Sequence, residues 1–193
     1  MLPAYAELHC LTNFSFQRGA SHPGEVVQRA WELGYAALAI TDECSVAGVV
    51  RAYAALQDMN LPASDPFKLI LGSEFRFEGF RLVALARNVT GWGNLCEFIT
   101  AARRDAKKGE YIVSREGSDF GLLDECEILV APSRDGPDAL DAADAVALQA
   151  IVAWAKSLFG ARTWLAAELW LGLDDALWLD TLQRVSTATG VPL

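Results

Sequence analysis

Short continuous apolar runs alternate along this chain with longer stretches in which apolar positions recur every three or four residues. The first pattern suits strands buried on both faces; the second suits amphipathic helices. "AYAELHC" (4–10) reads as a short strand ending in His9. Ser21 is a plausible N-cap and Pro23 sits in the first turn of "PGEVVQRAWELG" (23–34). There Val26, Val27, Ala30 and Leu33 share a face and Gly34 ends the helix. "YAALAIT" (35–41) is a buried strand, and "VAGVVRAYAALQDM" (46–59) a helix before the loop "LPASDP".

"FKLILGSEF" (67–75) and "FRLVALARN" (80–88) read as strands joined through Glu78 and Gly79, as in a hairpin. "GWGNLCEFITAARRDA" (91–106) is a helix entered through glycines. "GSDFGLLDE" (117–125) is a short helix or turn, "EILVAPS" (127–133) a buried strand, and "RDGPDALDAAD" (134–144) an acidic loop. "AVALQAIVAWAKSLFG" (145–160), "RTWLAAELW" (162–170) and "LDDALWLDTLQRVSTATG" (173–190) follow as helix, strand and helix. Repeated strand–helix units predict an α/β fold with a mostly parallel sheet, open or closed into a barrel, in a single domain spanning 1–193. The closing "VPL" reads as the start of another strand.

Composition narrows the function classes. The 193 residues are 52% hydrophobic and 21% charged, which is globular and not disordered. The net charge of −9 argues against direct binding of nucleic acid by this chain, because phosphate contacts need clustered Lys and Arg. Cys10, Cys44, Cys96 and Cys126 form no C-x-x-C pair, and the start lacks the basic and apolar regions of a signal peptide. A reducing cytoplasm with free thiols is the expectation. No apolar run reaches a membrane span, since Glu168 interrupts the greasiest stretch, "WLAAELWLGL". The six tryptophans fall at positions that read as packing, and "RRDAKKGE" (103–110) as a solvated helix end.

Candidate chemistry sits where apolar strands end. His9 ends the first, Thr41–Asp42–Glu43 follow the second, and Glu74 follows "LILGS" in the third. In parallel α/β folds, ligands gather at the carboxyl ends of strands. One histidine with carboxylates suits manganese or magnesium better than zinc. The bland readings are a hydrogen-bonded structural histidine, an Asp42 that caps the next turn and inert thiols at Cys10 and Cys44. His22 reads as a surface residue. No G-x-S-x-G, P-loop or G-x-G-x-x-G is present.

The blocks "ELHCLTNFSF", "RGASHP" and "AITDECS", continued by "ILGSEF" and "FRLVALARNVTGWGNLCEFIT", resemble the start of the PHP (polymerase and histidinol phosphatase) domain of bacterial C-family DNA polymerases. Within that group they look most like the error-prone branch. The resemblance implies a distorted (βα)7 barrel, here truncated before its last strand. In active members up to three metals sit at the strand ends and phosphoesters are hydrolysed. Carried over residue by residue, His9 matches the first His of a His-x-His motif, and Leu11 replaces the second. Thr41 and Asp42 of a Thr-Asp-His motif are kept, with Glu43 for the histidine. Glu74 is kept; Arg18 and Arg81 replace an acidic residue and a histidine. A later Cys or His is missing from "VAPS", and the final Asp-x-His would lie beyond Leu193.

Leucine cannot ligate a metal, and two fixed cations would stand where metals sit. Arg18 and Arg81 could instead pair with Glu43 and Glu74. At most one weak divalent site, for manganese or zinc at His9, Glu43 and Glu74, is left; magnesium would belong to the absent polymerase module. Two readings follow. In one, this is a degenerate domain without catalytic activity, a scaffold within a DNA-directed, translesion DNA polymerase of the damage response. Its partners would be the rest of the polymerase chain and other damage-response proteins, with DNA met through the parent enzyme and no membrane involved. In the other, it is a working metal-dependent phosphoesterase or proofreading exonuclease.

Overall fold

The structure, a computed structural model, describes residues 4–134 and 139–193. The described residues form one six-stranded sheet with five α-helices. The strands are β1 (Ala6–Cys10), β2 (Ala37–Ile40), β3 (Lys68–Phe77), β4 (Phe80–Ala86), β5 (Cys126–Pro132) and β6 (Thr163–Leu165). The helices are α1 (Pro23–Glu32), α2 (Val49–Asp58), α3 (Val89–Arg104), α4 (Ala145–Phe159) and α5 (Asp175–Thr189). Spatial order equals sequence order, β1-β2-β3-β4-β5-β6. Among the described residues, no helix is long and apolar enough to cross a membrane.

The sheet is mostly parallel, as the repeated strand–helix units predict, with β4 alone running against the other strands. β1, β2 and β3 are parallel, β4 is antiparallel to both β3 and β5, and β6 is parallel to β5. The cause of the first reversal is local. Glu78 and Gly79 connect β3 to β4 as a tight hairpin, with Gly79 at φ +82°, a conformation that costs glycine little. β1 and β6 stand at opposite ends of the strand order, yet His9 on β1 touches Glu168, just past β6. The described strands thus form a curled, partly closed α/β sheet.

Side chains alternate across the curl, because successive residues of a strand face opposite ways. On the outer face Phe75, Phe80, Leu82, Ile128 and Val130 pack under α3, α4 and α5. Val27, Ala30, Val49 and Ala52 of α1 and α2 pack on Leu38 and Ile40. The concave face carries Ala39, Val83, Leu85, Leu129 and Ala131. Glu74 pairs in register with Val83, and Arg81 lies two residues before it, so both belong to the concave face. Both faces being covered explains why the strands read as unbroken apolar runs.

Several boundaries differ from the sequence pattern. Helix α1 is capped by His22 and not Ser21; Glu25 Oε2 accepts the His22 N–H at 2.7 Å and Pro23 is first in the helix. Leu33 is exposed, not on the buried face. Helix α3 begins before its glycines, at Val89, because Asn88 Oδ1 accepts the Gly91 N–H at 2.9 Å. Gly91 is there for closeness: a Cβ on it would lie 2.1 Å from the Glu125 carbonyl oxygen. β6 is only three residues long, since the chain turns away after Leu165. Of the tryptophans, Trp178 is buried, whereas Trp31, Trp164 and Trp170 are exposed; Trp31 donates to Asp65 and Trp164 to Glu127. In the 103–110 run, Arg103 is drawn in to donate to the Cys44 carbonyl at 2.9 Å. Residues 135–138 of the acidic loop lie outside the described residues.

Candidate functional site

β1 brings His9, the turn after β2 brings Asp42 and Glu43, and β3 brings Glu74 to one end of the curl. A parallel bridge between Glu43 and Glu74 extends the β2–β3 alignment past the end of β2 and sets these two carboxylates side by side. The loop after β1 folds back over them and delivers Arg18.

The contacts form a chain of alternating charge. His9 Nε2 lies 2.6 Å from Glu74 Oε2, and His9 Nδ1 lies 2.5 Å from Glu168 Oε1. The Arg18 guanidinium donates to Glu43 Oε2 at 2.6 Å and also to Glu74 Oε1. Tyr111 donates its hydroxyl to Glu43 Oε1 at 2.7 Å, and Arg76 Nε stands 4.0 Å from the same oxygen. Three cationic side chains (His9, Arg18, Arg76) thus face three carboxylates (Glu43, Glu74, Glu168). Glu74 is fully buried, so its charge depends on these partners rather than on water.

The titration behaviour follows. Burial alone would lower the His9 pKa, but hydrogen bonds to Glu168 and Glu74 outweigh it and hold it at about 9. The ring is then an imidazolium at neutral pH and donates both N–H groups. Burial pushes Glu74 upward, and His9 and Arg18 outweigh it, so its carboxyl stays below its ordinary value. Burial, helped by the Glu43 carboxylate, raises the Tyr111 phenol and keeps it protonated.

Asp42 does a different job. It is fully buried, and its oxygens accept from Thr12 N at 2.8 Å, Thr12 Oγ1 at 2.7 Å and Ser15 Oγ at 2.7 Å. Ser15 Oγ in turn accepts the Glu43 N–H at 3.0 Å. Asp42 therefore folds the loop after β1 over the strand ends, as a turn-holding aspartate would, and positions Arg18. Leu11 and Arg81 border a concave cavity of about 1190 Å³, which His9, Arg18, Glu74 and Glu168 also line. Cys10 and Cys44 flank the cluster as free thiols; burial raises both to about 11, so they stay protonated.

The strand-end residues His9, Glu43 and Glu74 lie in one cluster, and Arg18, which only the resemblance singled out, joins them. Sequence spacing missed Glu168 and Tyr111. Glu168 carries a signal, an acid within an apolar run, whereas nothing near Tyr111 marks it. His22 is exposed and contacts Asn13, away from these groups. Among the described residues, no group of three or more His, Cys, Asp or Glu side chains is arranged to hold a metal ion.

Relatives give this geometry a context. The chain is 48% identical over 190 residues to the error-prone DNA polymerase of Methylococcus capsulatus, covering 98% of this chain and 16% of that protein. It is 49% identical over 189 residues to that of Aromatoleum aromaticum (97% and 17%), and 43% identical over 214 residues to that of an Azoarcus species (98% and 19%). The chain thus spans under a fifth of the length of these relatives. Among solved structures, an amidohydrolase from Chromobacterium violaceum aligns at 26% identity and a TM-score of 0.40, over 52% of this chain and 34% of that one. Residues 7–161 match the PHP domain family, and with the strand-end cluster built on His9 and Glu74 this chain belongs to that family.

Proposed function

We propose that this chain is the PHP domain of an error-prone DNA polymerase, and that it works as a structural and interaction module rather than as a hydrolase. One observation carries the reading: the Arg18 guanidinium bonds both Glu43 and Glu74, while His9 spends both ring nitrogens on Glu74 and Glu168. Both oxygens of Glu74 are thereby engaged. A metal there would have to displace a cation that cannot shed its proton. Two cations about 4 Å apart repel by roughly 4 kcal/mol at an effective dielectric of 20. The donor set does not fit a metal cluster, and no hydrolytic step is derived through one. The ion pairs instead tie β1, β3, the loop after β1 and the segment after β6 into one unit, which suits a bracing role beside the polymerase part of a longer chain. DNA would be met by that part, in the cytoplasm and in damage-tolerant synthesis.

The second reading, a metal-dependent phosphoesterase or proofreading exonuclease, draws support from the cavity beside His9 and Glu74. Titration calorimetry with manganese and with zinc separates the two. The scaffold reading expects no binding, or one ion with a dissociation constant weaker than about 0.1 mM, well above structural-site affinities. Tight binding of two or more ions, with metal-dependent hydrolysis of a phosphodiester lost in Glu74→Gln, would overturn it.

A further inference from the structure

The turn that carries Glu43 is strained and clamped. Cys44, the next residue, is fully buried at φ +44°, a left-handed conformation that a side chain disfavours and a glycine would take freely. Two hydrogen bonds hold it there. Its N–H donates to the Glu74 carbonyl at 2.8 Å, and its carbonyl accepts from Arg103 Nε at 2.9 Å. The first bond continues the alignment of Glu43 with Glu74. The second comes from the last turn of α3. Sparsely populated backbone conformations persist only where surrounding contacts over-determine them.

Arg103 reaches Glu43 by a second route. Its guanidinium lies over the Tyr111 ring at 5.9 Å and donates from Nη1 to the Glu110 carbonyl at 3.4 Å. It thereby anchors the segment whose Tyr111 hydroxyl donates to Glu43 Oε1 at 2.7 Å. The Tyr111 oxygen also accepts the Arg76 N–H at 3.0 Å, which fixes the ring against β3. One guanidinium thus steadies Glu43 through its backbone and through the partner of its carboxylate. A lysine could not make both directed bonds and cover the ring. We propose that Arg103 is a positioning residue: it holds the left-handed Cys44 turn and Tyr111 so that Glu43 meets the Arg18 guanidinium. This deepens the reading proposed above, in which that bridge, and not a metal, is what Glu43 serves.

The test is a double-mutant cycle in urea unfolding of the 193-residue chain, with Arg18→Ala and Arg103→Met made singly and together. Arg18→Ala should reduce the folding constant about fivefold less beside Arg103→Met than in the parent, because Glu43 is then no longer presented to it. Direct repulsion between the two cations has the opposite sign: it would make Arg18→Ala more costly once Arg103 is gone. Arg103→Lys keeps the charge, should lose the same coupling, and replaces the methionine variant if that one does not fold. Cys44→Gly is the rescue. Glycine takes positive φ unaided, so Arg103→Met should cost about fivefold less in that background. Additive costs in the first cycle, or coupling of the opposite sign, overturn the proposal. So does an Arg103→Met cost that Cys44→Gly leaves unchanged. Additivity fails this inference alone, whereas the reading beneath it fails in the metal titration.

Discussion

Removing the Arg18 guanidinium would strand two carboxylates, one of them, Glu74, wholly buried. Breaking a buried pair from one side costs more than the pair contributes, so Arg18→Ala should lose about 3 kcal/mol in urea unfolding. A loss below about 1 kcal/mol would mean that water reaches Glu74. His9 supplies a pH dependence. Its folded-state pKa of about 9 is raised above the ordinary 6.5, so its contribution is complete below about pH 6.5 and is lost as pH rises through 9. The shift corresponds to about 3 kcal/mol at most. Glu74, held low, acts at the other end: its contribution is present above the ordinary carboxyl pKa and is lost as pH falls through its lowered folded-state value. The thiols Cys10, Cys44 and Cys126, pushed up to about 11, also weaken the fold in alkali. The comparison with His9→Gln isolates the imidazole: the stability gap between parent and variant should close from pH 6 to about 9.5. A gap that stays constant across that range would show that the ring is held by packing and not by charge.

At the scale of elements, caps and close approaches decide the boundaries. Asn88 supplies a side-chain oxygen to the start of α3, and Asn88→Ala should cost about 1 kcal/mol. Gly91→Ala should cost more, about 2 to 3 kcal/mol, because its Cβ would sit 2.1 Å from the Glu125 carbonyl oxygen. Equal costs from thermal melts of the two variants would mean that α3 shifts to make room. Gly91, which read as part of an entry signal, is thus inside the helix for a packing reason, whereas a Cβ on Gly93 would meet nothing within 4 Å. The hairpin at Glu78 and Gly79 was legible because turn chemistry is local. The shortness of β6 was not, because "RTWLAAELW" keeps strand-like hydrophobicity while Glu168 and Trp170 are pulled toward His9 and Arg134.

At the scale of the whole molecule, the curl places opposite edges of the sheet next to one another and makes the cluster possible. It also leaves an acidic body with a net charge of −9. In a mobility-shift assay at about 0.1 M salt, where charges are screened beyond ~10 Å, this chain alone should not retain single- or double-stranded DNA. Retention that weakens with added salt would reveal a basic surface and move DNA contact into this domain.

The sequence by itself determined the order of strands and helices, the helix-covered outer face, the family resemblance, and which strand ends carry His9, Asp42, Glu43 and Glu74. Those are properties of neighbouring residues and of periodicity, and both are written along the chain. Only the tertiary structure decided that Asp42 folds a loop, that Arg18 bridges Glu43 and Glu74, and that Glu168 and Tyr111 complete the network. His9 and Glu168 are 159 positions apart, and no local pattern encodes a contact that exists only once the sheet has curled far enough to bring its two edges within hydrogen-bond reach.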